Sequence, residues 1–215
     1  MDRRNALKNM GWGLGYAVAT PTLISILQSC QEAGPEWTPV FFSPDEGKAL
    51  TYLVDIILPK TDTPSASEVQ IHVFLDKYVN EVMEKKDQDF LKASMGKFLD
   101  KALADSGKSA VGKLEAEDLE PVLSAALKNT KEDETRMYES INSYQQAIEE
   151  GKSATLEDEA HRFAFANNLR GATIWGYKTS ELVGEEVLAY LPVPGEYIAC
   201  GDLNELTGGK AWSLG

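Results

Sequence analysis

Apolar residues recur at helical spacing through most of this chain, in blocks short enough to be separate helices. Leu50, Leu53, Val54 and Ile57 stand at i, i+3, i+4 and i+7, which places them on one helix face. Ser43-Pro44-Asp45-Glu46 ahead of them predicts the start: Ser43 can cap, Pro44 suits the first helical position, and Glu46 can close a capping box. Pro59 predicts the end, and Lys60 to Ser65 is a run of turn formers. The same periodicity returns in Ile71, Phe74, Leu75, Tyr78 and Val82, and again in Leu91, Met95, Phe98, Leu99 and Ala102 ahead of Gly107. Leu119, Val122, Leu123, Ala126 and Leu127 form another stripe, whose Pro121 is expected to fall in the first turn, where a missing N–H costs nothing. Met137, Ile141, Tyr144 and Ile148 form the next, ended by Gly151. Thr155-Leu156-Glu157-Asp158 resembles a second capping box and opens a long helix through Phe163, Ala166, Arg170 and Ile174. No run of alternating β-branched residues lies between turn signals. The expected fold is all-α, an irregular bundle of about six helices.

From Gly184 the pattern changes. Pro192, Pro194, Gly195, Gly201, Gly208 and Gly209 exclude long helices, yet Tyr190, Tyr197, Ile198, Trp212 and Leu214 are too apolar for a free tail. An extended, aromatic, Pro- and Gly-rich segment of this kind wraps over its own core or over a partner.

The N-terminus reads as an address. Met1 to Lys8 is charged and contains Arg3-Arg4; Gly11 to Leu27 carries no charge and is broken by Gly11, Gly13, Gly15 and Pro21. That order is the order of a signal peptide. Arg3-Arg4-Asn5-Ala6-Leu7-Lys8 resembles a twin-arginine export motif, with Ala6 where an aromatic is commoner. Leu27-Gln28-Ser29-Cys30 resembles a lipobox, in which Cys30 would be lipidated and become the first mature residue. The expected organisation is a signal peptide over 1–29, a tether over 30–42 containing Gly34, Pro35 and Pro39, and one helical domain over 43–215. Location is then the bacterial cell envelope, on the periplasmic side, with membrane attachment through the lipid alone.

Charge narrows the partners. With 34 acidic and 21 basic residues the chain carries −13, and without residues 1–29 it would carry −15. Nucleic acid is excluded as a partner, because phosphate binding needs clustered Lys and Arg. Two cysteines and two histidines nearly exclude a Cys/His zinc site. Cys200 is left alone, and in an oxidising compartment it is expected to be either buried or bonded to another chain.

Catalytic motifs are scarce. His72 has Asp76 at i+4, and His161 shares a face with Glu157 and Asp158, which predicts a histidine paired to a carboxylate. Neither histidine sits in Glu-x-x-His, so the di-iron carboxylate pattern is incomplete. Gly107-Lys108-Ser109 and Gly151-Lys152-Ser153 lack the earlier glycine of a phosphate loop, and Gly11-x-Gly13-x-Gly15 has no strand before it. Gly-x-Ser-x-Gly and Cys-x-x-Cys-His do not occur. No catalytic, cofactor-binding or metal-ligating residue is assigned, and any cofactor is expected on another polypeptide.

Three stretches together resemble the gluconate 2-dehydrogenase subunit 3 family. They are Leu53 to Ala66 with its Pro59-Lys60-Thr61-Asp62-Thr63-Pro64 loop, continued by Ile71 to Asp76; Ile174-Trp175-Gly176-Tyr177-Lys178-Thr179-Ser180-Glu181; and Tyr190 to Gly201, followed by Gly209-Lys210-Ala211-Trp212. Ser65 and Ala199 stand where that family more often has glycine. The resemblance implies a non-catalytic small subunit of a dehydrogenase complex. A separate large subunit holds FAD and oxidises a sugar or sugar acid, and a multihaem cytochrome c subunit carries the electrons away. The small subunit binds the flavoprotein and supports its folding or export.

The partner surface is expected on Trp175, Tyr177, Tyr190, Pro194, Tyr197, Cys200 and Trp212, since aromatics dominate interface cores; the alternative for the same residues is packing of the tail on the bundle. Two other readings compete. One is a free-standing envelope lipoprotein that binds a ligand or another protein, and the other is a carboxylate-metal enzyme in a ferritin-like bundle.

Overall fold

The structure is a computed structural model that describes residues 37–191, 193, 195, 198 and 200–213. Arg3, Arg4 and Cys30 lie outside the described residues, as do Pro194 and Tyr197. The described elements are α1 (Pro44–Ile57), α2 (Ile71–Glu81), α3 (Lys85–Ser106), a 3-10 turn (Val111–Lys113), α4 (Ala116–Leu127), α5 (Lys131–Glu149), α6 (Asp158–Lys178), a π-helical turn (Val183–Val187) and α7 (Leu203–Thr207). No strand occurs among the described residues; a single parallel bridge joins Ala189 to Trp212. The fold is an all-α bundle. None of the described helices is long and apolar enough to cross a membrane.

Helix α1 begins as its sequence dictates. Ser43 Oγ accepts from the Glu46 N–H at 3.3 Å while Glu46 Oε2 accepts from the Ser43 N–H at 2.8 Å, a complete capping box with Pro44 at the first position. Leu58 ends it, one residue before Pro59. Gly107 and Gly151 follow α3 and α5 with φ of 68° and 71°, left-handed positions that glycine occupies without a Cβ clash.

Helix α6 is the centre of the bundle and touches α1 through α5. It is therefore buried on more than one face. Phe165 packs on Phe98 of α3, with ring centroids 5.0 Å apart, while Phe163 faces Met137 and Ile141 of α5. Leu53, Val54, Met95, Phe98, Leu119 and Ala166 are sealed from solvent at the core, and each large side chain there contributes about 1.5–3 kcal/mol by burial.

This centrality corrects several sequence expectations. The long helix through Phe163, Ala166, Arg170 and Ile174 is present, with Arg170 and Ile174 exposed and Leu169, Thr173 and Gly176 continuing the buried side. On α2 the buried set is Ile71, Leu75, Asp76 and Val79, whereas Phe74 and Val82 are exposed. Thr155 is not a cap; Glu157 precedes the first turn of α6 and makes no side-chain capping bond. Pro121 lies inside α4, in its second turn. Both Pro121 and Glu117, whose carbonyl loses its helical partner, sit on the solvent side, where water replaces the bond.

The chain packs before residue 43, where a tether was expected. Asp76 is fully buried and its carboxylate accepts three backbone N–H groups, from Val40 at 2.7 Å, Phe41 at 3.0 Å and Phe42 at 3.1 Å. Lys92 of α3 adds a second hold, bonding Glu46 at 2.5 Å with its ammonium over the Phe41 and Phe42 rings.

Candidate functional site

The two best-formed sequence motifs meet in space. Asp55 on α1 organises the loop after it, accepting from the Ser67 N–H at 2.7 Å and the Ser67 hydroxyl at 2.6 Å. Across the loop, the Tyr177 hydroxyl of α6 donates to the Pro64 carbonyl at 2.7 Å. Gly176, one residue earlier, lets α2 and α6 touch, since a Cβ there would lie 3.0 Å from the Phe74 ring. Tyr177 is partly buried, and its hydroxyl is held by the bundle.

Trp175 points the other way. It is 46% exposed and stacks against Phe74 and Tyr78, with centroids 5.3 and 5.5 Å apart. The result is an exposed aromatic cluster built from α2 and α6. The sequence placed Phe74 and Tyr78 in the core stripe, so their membership of this surface was missed; Gly176, falling where α2 crosses α6, was the available signal.

The C-terminal segment forms a loop closed at its neck by backbone. The Ala189 N–H donates to the Ala211 carbonyl at 2.8 Å, and the Ser213 N–H donates to the Ala189 carbonyl at 2.9 Å. Between these points the loop exposes Tyr190, Leu191, Val193, Ile198, Leu203 and Leu206, with Trp212 exposed at the neck. Cys200 is a free, exposed thiol, which removes the expectation of burial. From Thr179 to Gly209 the chain has Glu181, Glu185, Glu186, Glu196, Asp202 and Glu205 and no basic residue. Of these, Glu181, Glu185, Glu186 and Glu205 form no ion pair among the described residues. Apolar and acidic groups together make a surface suited to an apolar patch rimmed by Lys or Arg.

Each of the two histidines has its own local surroundings. His161 is buried between Phe90 and Tyr144, and its Nδ1 lies 2.9 Å from the Ser94 hydroxyl, so its partner is a hydroxyl rather than the expected carboxylate. Burial lowers its pKa, against the opposing pull of Asp158. His72 is half-buried and is lowered by burial in the same way, with Asp55 opposing. No group of three or more His, Cys, Asp or Glu side chains able to hold a metal ion occurs among the described residues.

A comparison with protein families matches residues 44–195 to Gluconate 2-dehydrogenase subunit 3. The chain belongs to that family. The match covers α1 to α6 and Ala189, the first side of the neck of the C-terminal loop; Cys200, α7 and Trp212 lie beyond it. A search of curated proteins and of solved structures found no match. Membership of a family of dehydrogenase subunits implies partner chains.

Proposed function

We propose that this chain is the non-catalytic small subunit of a periplasmic, membrane-associated, FAD-dependent dehydrogenase of the GMC type that acts on a sugar or sugar acid. It binds the flavoprotein subunit and supports its folding or export. The observation that carries the reading is the family match over residues 44–195. The acidic, apolar C-terminal loop agrees with it, because Tyr190, Trp212 and Cys200 face outward with no cover from the bundle. In this reading FAD resides in the large subunit and haem in a cytochrome c subunit. Arg3 and Arg4 direct export, and Cys30 carries the lipid that holds the complex at the membrane.

The test is deletion of the gene followed by cell fractionation. The reading expects sugar- or sugar-acid-dependent dye reduction to leave the membrane fraction and the flavoprotein to fail to accumulate in the periplasm. Restoring the chain with Arg3 and Arg4 both changed to Lys should not restore either. Full activity in the deletion strain would contradict the proposal.

A further inference from the structure

A channel runs along the outer face of α6, between the α2–α3 turn and α5. One half lies beside Tyr78, Val82, Gly171 and Trp175 and has a volume of about 590 Å³. The other, about 400 Å³, lies beside Phe90, Tyr138, Ile141 and Phe163. Asp87, Asn167 and Asn168 line both, so the two halves are one groove. Its floor from Ala164 to Trp175 is about 17 Å long at 1.5 Å per residue. That is room for about five residues of extended chain.

The lining chemistry describes an occupant. Trp175 and Tyr138 are both close to half exposed and offer aromatic faces to apolar side chains. The amides of Asn142, Gln145 and Asn168 hydrogen-bond nothing among the described residues, and each carries the donor and acceptor that a peptide group needs. Charge along the groove is of one sign: Glu84 and Asp87 line it, and no Lys, Arg or His does. Glu84 shares Lys86, 3.6 Å away, with Glu149 at 2.9 Å, whereas the half-buried Asp87 carboxylate at the junction of the halves forms no ion pair among the described residues. Such a lining repels anionic lipid and favours a protein segment bearing one cation. Gly171 lines the first half of the groove with no side chain over the helix backbone. Its φ is ordinary and a Cβ there would meet nothing within 4 Å, so the fold itself does not require glycine.

We propose that this channel seats an extended segment of the flavoprotein subunit, with apolar side chains against Tyr138 and Trp175 and one Lys or Arg paired to Asp87. The proposal rests on the small-subunit reading and adds a second contact, separate from the C-terminal loop. Tagged wild-type chain, Gly171→Leu, Asp87→Lys, Asp87→Glu and the control Glu120→Gln would each be expressed in the deletion strain. Each is then captured in mild detergent and read by flavin absorbance per tagged chain, with circular dichroism to verify folding. Leucine at 171 fills the groove without touching its own core. Gly171→Leu and Asp87→Lys should lower captured flavin about tenfold or more, the loss of a central contact, while Asp87→Glu and Glu120→Gln retain it. A photo-crosslinker at Val82 should attach to a flavoprotein peptide containing Lys or Arg.

Wild-type capture by Gly171→Leu and Asp87→Lys, or crosslinks to lipid or to a second copy of this chain, would overturn the channel while leaving the subunit reading intact. Wild-type chain that captures no flavoprotein removes both.

Discussion

Replacing Asp76 separates an internal anchor from an ordinary surface charge. Three backbone N–H groups converge on its carboxylate, with Phe41 and Phe42 on Oδ1 and Val40 on Oδ2. A hydrogen bond to a charged group contributes about 1.5–3 kcal/mol, and a buried donor left without a partner loses the full amount. Val40 is 59% exposed, so water recovers most of its bond, but Phe42 is 6% exposed and recovers little. Asp76→Ala should therefore cost about 3–5 kcal/mol, a large share of the roughly 5–15 kcal/mol that holds a domain together. The apolar core of the bundle is untouched by the substitution, so the bundle stays folded.

In urea, with a slope of about 2 kcal/mol/M, the midpoint should fall by about 2 M. Asp76→Asn is the informative partner. One oxygen can still serve Phe41 and Phe42, while the new amide N–H₂ opposes the Val40 N–H, so the cost should be about 1 kcal/mol. Urea melts followed by circular dichroism measure both variants, and proteolysis ahead of Ser43 reports release of the segment. An Asp76→Ala protein within about 0.5 kcal/mol of wild type, or an Asn variant as costly as Ala, would refute the reasoning.

Other substitutions probe the rest of the account. Tyr177→Phe removes the bond to the Pro64 carbonyl and should lower stability by about 1 kcal/mol in the same melts. Pro121→Ala restores the N–H that Pro121 lacks inside α4 and should raise stability by about 1–3 kcal/mol; a decrease would mean that the proline is needed where it stands. Thr173→Val deletes a sealed hydroxyl with no hydrogen-bond partner among the described residues and should stabilise by about 1 kcal/mol.

For His161, burial holds the folded-state pKa below the ordinary value, so the unfolded chain takes up the proton first as pH falls. Its contribution is complete above about pH 6.5 and declines below it, toward the folded-state pKa. The difference in melting temperature between wild type and His161→Phe should shrink over that window, and parallel curves would contradict it.

The bundle was legible because helix signals are local. The Ser43–Glu46 box, the leucines of α1 and the glycines after α3 and α5 act through neighbours in sequence, and the structure reproduces them. What failed depends on position in the fold. One stripe per helix assumes one buried face, but α6 lies among five other helices and buries residues as close together as Phe163 and Phe165. Phe74 and Tyr78 have the spacing of a core stripe, and the crossing at Gly176 turns them outward to Trp175.

The same limit governs the surface. Trp175, Tyr190, Cys200 and Trp212 were singled out by residue type and do face solvent; Tyr177 has the same composition signal but turns inward to a carbonyl 113 positions away. Asp76 read as a neighbour of His72 and proved to be the buried acceptor for chain that precedes the first helix.

The central claim is that this chain works as a subunit, with the flavin on another polypeptide. Native mass spectrometry of the tagged full-length chain, extracted from membranes in mild detergent and scanned for flavin absorbance, tests it most directly. The account predicts an assembly in which this chain accompanies a larger flavoprotein, and in which FAD leaves with that larger chain when the two are separated. The chain recovered alone and colourless from membranes that retain the dehydrogenase activity, or carrying the flavin itself, would contradict it.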